Sequence, residues 1–452
     1  MPDQIRDEGD LLVSGGPLWT GGEGHWPRGA LLARAGRVVY AGPEEGLPAG
    51  ERPAQTLEAE GGLILPGLVN AHCHGPMVLF RGLADDLPLE TWLFQHIFPA
   101  EAQWVDPEMT ELGAGLAAAE LLLAGVTTVC DAYFCAEGMA KAYARAGLRA
   151  VVAQGVIDFP APGVPDPARN LAVAREFVTS WRGRSPLVTP AIFAHSPYTC
   201  GPETLRGCAA LARELDCPWF IHLAESQAEL ATLAERHGQT PARHLESLGV
   251  LDALTAAVHG IWLEPEEMAL LARRGVGVIP CPQSNAKLAS GAADIPALLA
   301  AGLAVGLGSD GAASNNDLEM LGEAALATRL AKLRSGDPAA LPAAQALDLL
   351  WTGGAAALGL GRRLGRLLPG QAADLVVLRP DAPHLTPWRD PASALVYQAR
   401  RDDVRHVAVA GRVLVKDRQL LSLDLPELLA GMRELAGRVR AGRAAAENPA
   451  QG

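Results

Sequence analysis

Short apolar runs broken by glycine fill the first 60 or so residues, in LLVSGG, ALLARAGRVVYAGP and AQTLEAEGGLILPG. The same texture returns near the other end in AADLVVLRP and VRHVAVAGRVLVKDRQLL. Apolar runs of this length between turn residues predict short antiparallel strands. Residues 1–65 and 367–452 are therefore expected to share one small β-sandwich built from both termini. The last stretch, LPELLAGMRELAGRVRAGRAAAE, has helical periodicity with charged faces and predicts a surface-packing helix.

From 66 to 366 the pattern changes. Strand-like runs end in LVNAHCH, VTTVCDAYF, RAVVAQGVID, LVTPAIFAHS, CPWFIHLAES, LTAAVHGIWL, GVGVIPCPQS and LAVGLGSDG, each followed by an Ala/Leu/Glu/Arg-rich helical stretch. Eight strands alternating with helices predict an α/β fold with a parallel (β/α)8 barrel.

Polar residues fall at the ends of these runs with unusual regularity. The first ends on His72 and His74, the fourth on His195, the fifth on His222, the sixth on His259 and the eighth on Asp310. Residues two apart on a strand share one face, so His72 and His74 project together. A single buried histidine is ordinarily a satisfied core residue. Five of them and an aspartate on the rim where barrel enzymes keep their chemistry predict a metal site. His72, His74, His222 and Asp310 make a nitrogen-rich donor set that suits one Zn2+ per subunit, and iron(II) would accept the same donors. Glu225, three residues past His222, has two readings: charge matching at a helix N-terminus, or a carboxylate that moves protons beside an activated water. His259 would either hydrogen-bond the attacking oxygen or support Asp310 from behind.

Composition narrows the partners. The chain has 452 residues, 49% hydrophobic and 20% charged, which suits a large, well-buried enzyme. A net charge of -13 argues against a nucleic-acid backbone and for a small-molecule substrate. Seven irregularly spaced cysteines read as reduced thiols, and with the polar, acidic opening MPDQIRDEGD they predict a cytoplasmic protein without a signal peptide. The most apolar long stretch, LGAGLAAAELLLAGVTTVC, contains Glu120 and ends in β-branched residues. It predicts a buried helix and a strand rather than a membrane span.

Over nearly its whole length the chain resembles the amidohydrolase superfamily, and within it the 5′-methylthioadenosine/S-adenosylhomocysteine deaminases with their chlorohydrolase relatives. The resemblance is carried by PGLVNAHCHGPMVLFRGLADDLPLETWLFQHIFPAE, AGVTTVCDAYF, HSPYTC, HLAES, VHGIWL, CPQSNAKLASG, GSDGAASNNDLEM and LPGQAADLVVL. It implies His72, His74, His222 and Asp310 as metal ligands, with Asp310 also the base for the attacking water. It implies Glu225 as proton donor to the purine ring and His259 as support for the attacking oxygen. Glu101 would bind the ribose hydroxyls, His195 the purine, Trp92 would form an aromatic wall, and Ser314 would lie beside the substrate. Related barrels often bridge two metals with a modified lysine on the fourth strand. TPAIFAHSPYT has none, which favours one metal.

The implied reaction is metal-dependent hydrolytic deamination of an adenine nucleoside: 5′-methylthioadenosine, adenosine or S-adenosylhomocysteine. The alternatives are deamination of a guanine, pterin or triazine ring, or chlorohydrolysis. A non-catalytic oligomeric scaffold would be expected to have lost ligands, and this chain keeps them all; a catalytic homo-oligomer remains compatible with the sequence. One departure stands out. Relatives that accept S-adenosylhomocysteine carry an arginine on the third strand for the amino acid carboxylate, whereas this chain places Gln154 there, with Arg169 a second candidate. An amide offers a carboxylate neither charge nor a bidentate fork.

Overall fold

Tight turns fold both ends of the chain into one sheet. The computed structural model describes residues 9–447 apart from 23, 49, 51, 52 and 362, so MPDQIRDE lies outside the described residues. Leu11–Trp19 pairs antiparallel with His25–Arg34, which pairs with Arg37–Pro43 across a turn in which Ala35 and Gly36 have positive φ. From the C-terminal side come Leu375–Leu378, Val404–Val409, Arg412–Lys416 and Gln419–Leu420. The seam is the antiparallel pairing of Leu375–Leu378 with Leu63–Pro66, in which Val377 faces Ile64. Because this seam is hydrogen-bonded throughout, the expected terminal unit is one continuous nine-stranded sheet rather than two detached layers. Leu11, Val13, Leu31, Ile64, Leu375 and Val377 bury its apolar face.

The second sheet is the barrel. Its strands are Leu68–His74, Val126–Tyr133, Arg149–Val156, Val188–Ala194, Trp219–Leu223, Thr255–His259 and Gly277–Ile279, each parallel to the next. The eighth is split. Ala304–Val305 pairs with the seventh strand, and Asp310–Gly311 pairs with Cys73 and His74 of the first. The Ala71 amide donates to the Leu307 carbonyl at 2.9 Å between those two pieces, which closes the ring.

Inward-facing residues fill the barrel: Val69 and Ala71, Cys130 and Ala132, Val151 and Ala153, Ala191 and Phe193, with Phe220, Ala256 and Ile279. Ala355, Leu358, Leu360 and Leu364 pack onto the same cluster and plug the end opposite the strand C-termini. The helix Pro107–Leu123 starts where the Asp106 carboxylate accepts from the Met109 amide at 2.7 Å, a standard N-cap. The terminal helix Leu425–Glu447 lies against it, with Leu428 over Gly115. Among the described residues no helix is long and apolar enough to cross a membrane.

Candidate metal centre and pocket

The first strand carries an irregularity on which the site depends. Asn70 pairs with Val129 and Cys73 with Asp131, so the first strand spends one residue more than its neighbour over that interval. Such a β-bulge re-aims the side chains that follow it. Val69 and Ala71 face the barrel interior, yet Cys73 packs outside with the helices, and His72 and His74 turn inward. Strict alternation from Ala71 would have sent both histidines outward.

Three other strand ends near the site adopt left-handed backbone: Ala224 (φ 52°), His259 (φ 73°) and Asp310 (φ 59°). Conformations of this kind cost about 1–3 kcal/mol each for residues other than glycine and persist only when neighbours hold them. Glu229 holds the first: its carboxylate accepts from the Ala224 amide at 3.0 Å and the Glu225 amide at 2.8 Å. Asn70 holds the last, donating to Ser309 Oγ at 2.7 Å and accepting from the Ser309 amide at 3.1 Å.

His72, His74, His222 and Asp310 are all buried, with one donor atom from each within 4.8 Å of all the others. Nε2 of His222 lies 3.3 Å from Nε2 of His72, and Asp310 Oδ1 lies 3.4 Å from His74 Nε2 and 3.6 Å from His72 Nε2. Donors around a tetrahedral ion with bonds of about 2.0–2.1 Å stand roughly 3.3–3.4 Å apart. The spacing therefore fits a single four-donor metal site. His74 Nδ1 donates to the Ala132 carbonyl, which leaves the Nε2 lone pair free to bind. Burial pushes His74 down to about 4 and His222 well below an ordinary histidine, so both imidazoles are neutral, as metal binding requires. Burial alone would raise Asp310, but the surrounding histidines outweigh it and hold this carboxyl well below its usual range. Its Oδ2 accepts from Ser284 Oγ at 2.6 Å and from Ser314 Oγ at 3.0 Å, which leaves Oδ1 facing the imidazoles.

Beside the cluster is a pocket lined by Trp92, Glu101, His195, Glu225, His259 and Ser314 among others. Burial, followed by the charges of Asp310, Glu229 and Glu90, pushes Glu225 well above an ordinary glutamate. Its Oε2 lies 3.6 Å from His259 Nε2. Asn285 Nδ2 donates to His259 Nδ1 at 3.0 Å, so neutral His259 carries its proton on Nε2, on the Glu225 side. Glu101 accepts from the Tyr133 hydroxyl at 2.6 Å through Oε1, while its buried Oε2 has no partner. His195 turns Nδ1 to Thr199 Oγ1 at 3.0 Å.

A family model described as the amidohydrolase family matches residues 63–414. The chain belongs to the amidohydrolase family. Two curated relatives are named 5-methylthioadenosine/S-adenosylhomocysteine deaminase. That of Syntrophobacter fumaroxidans is 42% identical over 431 residues, 95% of this chain and 98% of the relative. That of Nitratidesulfovibrio vulgaris is 44% identical over 407 residues, 90% of this chain and 92% of the relative. The crystal structure of an adenosine deaminase from Xanthomonas campestris with bound zinc superposes with a TM-score of 0.93 at 38% identity, covering 96% of this chain and 99% of that one. Atrazine chlorohydrolase from Arthrobacter aurescens shares the fold at a TM-score of 0.86 and 24% identity, over 94% of this chain and 100% of that one.

Within this amidohydrolase, two residues expected at the substrate are not brought there. Ala153 faces the barrel interior, so its neighbour Gln154 falls on the outer face of the third strand. Its amide accepts from the Ala136 amide at 3.1 Å and donates to the Gly155 carbonyl at 3.0 Å, and it does not line the pocket. Arg169 is exposed, its guanidinium 3.9 Å from Glu176. Conversely, Tyr133, Ser284, Asn285 and Glu229 touch site residues directly, yet strand-end reasoning passed over them. Ser284 and Asn285 sit in the polar run CPQSNAK just after the seventh strand, where their position was the available signal.

Proposed function

We propose that this amidohydrolase removes the 6-amino group of an adenine nucleoside by hydrolysis, giving the inosine analogue and ammonia, with 5′-methylthioadenosine or adenosine as the preferred substrate. The observation that carries this reading is Glu101. Its buried, unpartnered Oε2 shares one pocket with the metal cluster and the Trp92 wall, and a ribose hydroxyl is the partner it lacks. A bare guanine, pterin or chlorotriazine ring would leave that oxygen unsatisfied. The names of the two curated relatives support the same substrate class.

His72, His74, His222 and Asp310 would hold a zinc-class ion, iron(II) being acceptable to the same donors. When bound, such an ion supplies the acidity that makes water a nucleophile near neutral pH. Asp310 Oδ1 accepts the proton of the attacking water. His259 Nε2–H donates to the incoming oxygen as it adds to C6. Glu225, kept protonated by burial, passes its proton to ring N1, so that charge never builds on the purine. The carbon–nitrogen bond then breaks: the proton taken up by Asp310 leaves with the amine as ammonia, and the C6 hydroxyl gives its proton back to Glu225 as the carbonyl of the inosine analogue forms. His195 and Ser314 flank the ring, and Trp92 walls it.

The test is ammonia release from adenosine, 5′-methylthioadenosine, S-adenosylhomocysteine, guanine and a chlorotriazine, run alongside metal analysis. Nucleosides should be turned over well ahead of bare rings by a protein with one zinc-class ion per chain. Faster turnover of guanine or release of chloride would reject the reading, and two ions per chain would reject the single-metal site.

A further inference from the structure

At the end of the barrel away from the metal cluster, the starts of the third and fourth strands meet the terminal sheet around an open cavity of about 190 Å³. Arg37, Arg149, Arg363 and Arg412 line it, and among the described residues no aspartate, glutamate or lysine does. That concentration of positive charge stands out in a chain of net charge -13.

The four arginines are not equivalent. Asp374 engages Arg149 through two parallel hydrogen bonds, at 2.8 and 3.0 Å, and also accepts from the Ala410 amide at 2.7 Å. This pair is closed. Among the described residues, the Arg37 guanidinium donates to the neutral Gly370 carbonyl, at 3.0 Å. Arg363 and Arg412 have no carboxylate within ion-pair distance among the described residues, and the same holds for Arg37. An adjoining groove shares Thr189, Leu360 and Arg363 and brings in Asp216, which forms no ion pair with Arg363. Three arginines from three parts of the fold therefore line one cavity: Arg37 at the start of the strand Arg37–Pro43, Arg363 in the segment that plugs the barrel, and Arg412 at the start of the strand Arg412–Lys416.

Guanidinium forks match phosphoryl oxygens in bidentate fashion, and several of them around one cavity favour an anion with several charges in a row. We propose that this cavity binds an oligophosphate, with Arg37, Arg363 and Arg412 as its ligands. A free inorganic chain and the phosphate tail of a nucleotide present the same chemistry. Either would tie the plug segment to the terminal sheet and stabilise the junction by mass action. This site is independent of the deaminase reading.

The experiment is calorimetric titration of the metal-loaded full-length enzyme with tripolyphosphate and, separately, with uridine triphosphate. The comparison protein is the triple variant Arg37→Gln/Arg363→Gln/Arg412→Gln. Both proteins keep the same metal ligands, so any transfer of metal to the anion contributes equally to the two titrations. Wild type should bind one tripolyphosphate per chain at least about a hundredfold more tightly than the variant, which loses three charge-assisted contacts. Turnover of the variant in anion-free buffer should be unchanged. Tighter binding of uridine triphosphate than of tripolyphosphate assigns the site to a nucleotide, and equal binding assigns it to the inorganic chain. Because Arg412 is partly buried, the exposed single variants Arg37→Gln and Arg363→Gln are titrated as well, each expected to weaken binding about tenfold. Equal affinity in wild type and all variants, or no binding by wild type, overturns the proposal.

Discussion

Replacing a methylthio group by a homocysteine tail asks this pocket to accept a carboxylate and an ammonium group. Among the described residues no lysine or arginine lines it, and its acidic side chains are those of Glu101, Glu225 and Asp310. The tail carboxylate thus gives up water without gaining a cation, forgoing a charge-assisted contact worth about 1.5–3 kcal/mol. Each 1.4 kcal/mol is a factor of ten, so kcat/KM for S-adenosylhomocysteine should fall about ten- to hundredfold below that for 5′-methylthioadenosine. The assay is ammonia release at substrate concentrations below KM for both nucleosides. Gln154→Arg should bring no gain, because position 154 faces the helices and its amide already serves the Ala136 amide. A wild type that prefers S-adenosylhomocysteine would refute this reasoning. If Arg169→Ala then abolished that preference, the exposed loop arginine would be the group that reads the tail.

Glu225→Gln keeps the size of the side chain and removes its transferable proton; turnover should fall at least about 10²-fold while metal content, measured by elemental analysis, stays at the wild-type level. Glu229→Gln can accept from only one of the two amides that Glu229 now serves. It should cost about 1.5–3 kcal/mol of stability in denaturant titration and lower kcat more than it raises KM, since Glu225 would lose its fixed backbone. Burial raises the Glu101 carboxyl to about 7. Below that pH it is protonated and no longer an anionic acceptor, so KM for nucleosides should rise as pH falls from 8 to 6. In Glu101→Gln, KM should be high and flat over the same range, and a pH-independent wild-type KM would count against the ribose contact.

The barrel was legible because each parallel strand is a short apolar run followed by a helical stretch, and because its site residues cluster at strand ends. His72, His74, His222 and Asp310 were legible for the same reason, and they do meet. Facing direction was harder to read. The bulge between Asn70 and Cys73 depends on how the second strand pairs with the first, and nothing local in LVNAHCH announces it. Gln154 failed in the opposite sense: an unbroken third strand keeps strict alternation, which puts position 154 outside once Ala153 is inside. Glu229 was hidden because a carboxylate in the first turn of a helix ordinarily answers to its own helix, whereas this one reaches back to the preceding loop.

The seam between Leu63–Pro66 and Leu375–Leu378 joins segments separated by roughly 300 residues of chain. At a synthesis rate of about 5–20 residues per second, the earlier strand waits on the order of 15–60 s for its partner. During that interval LILP, buried at every position in the finished sheet, presents an apolar edge with its hydrogen-bonding groups unpaired. The nascent chain is therefore most vulnerable to aggregation after its catalytic barrel has been made and before its last strands emerge. A product truncated between Asp310 and Leu375 would carry every metal ligand and still be unable to close that edge.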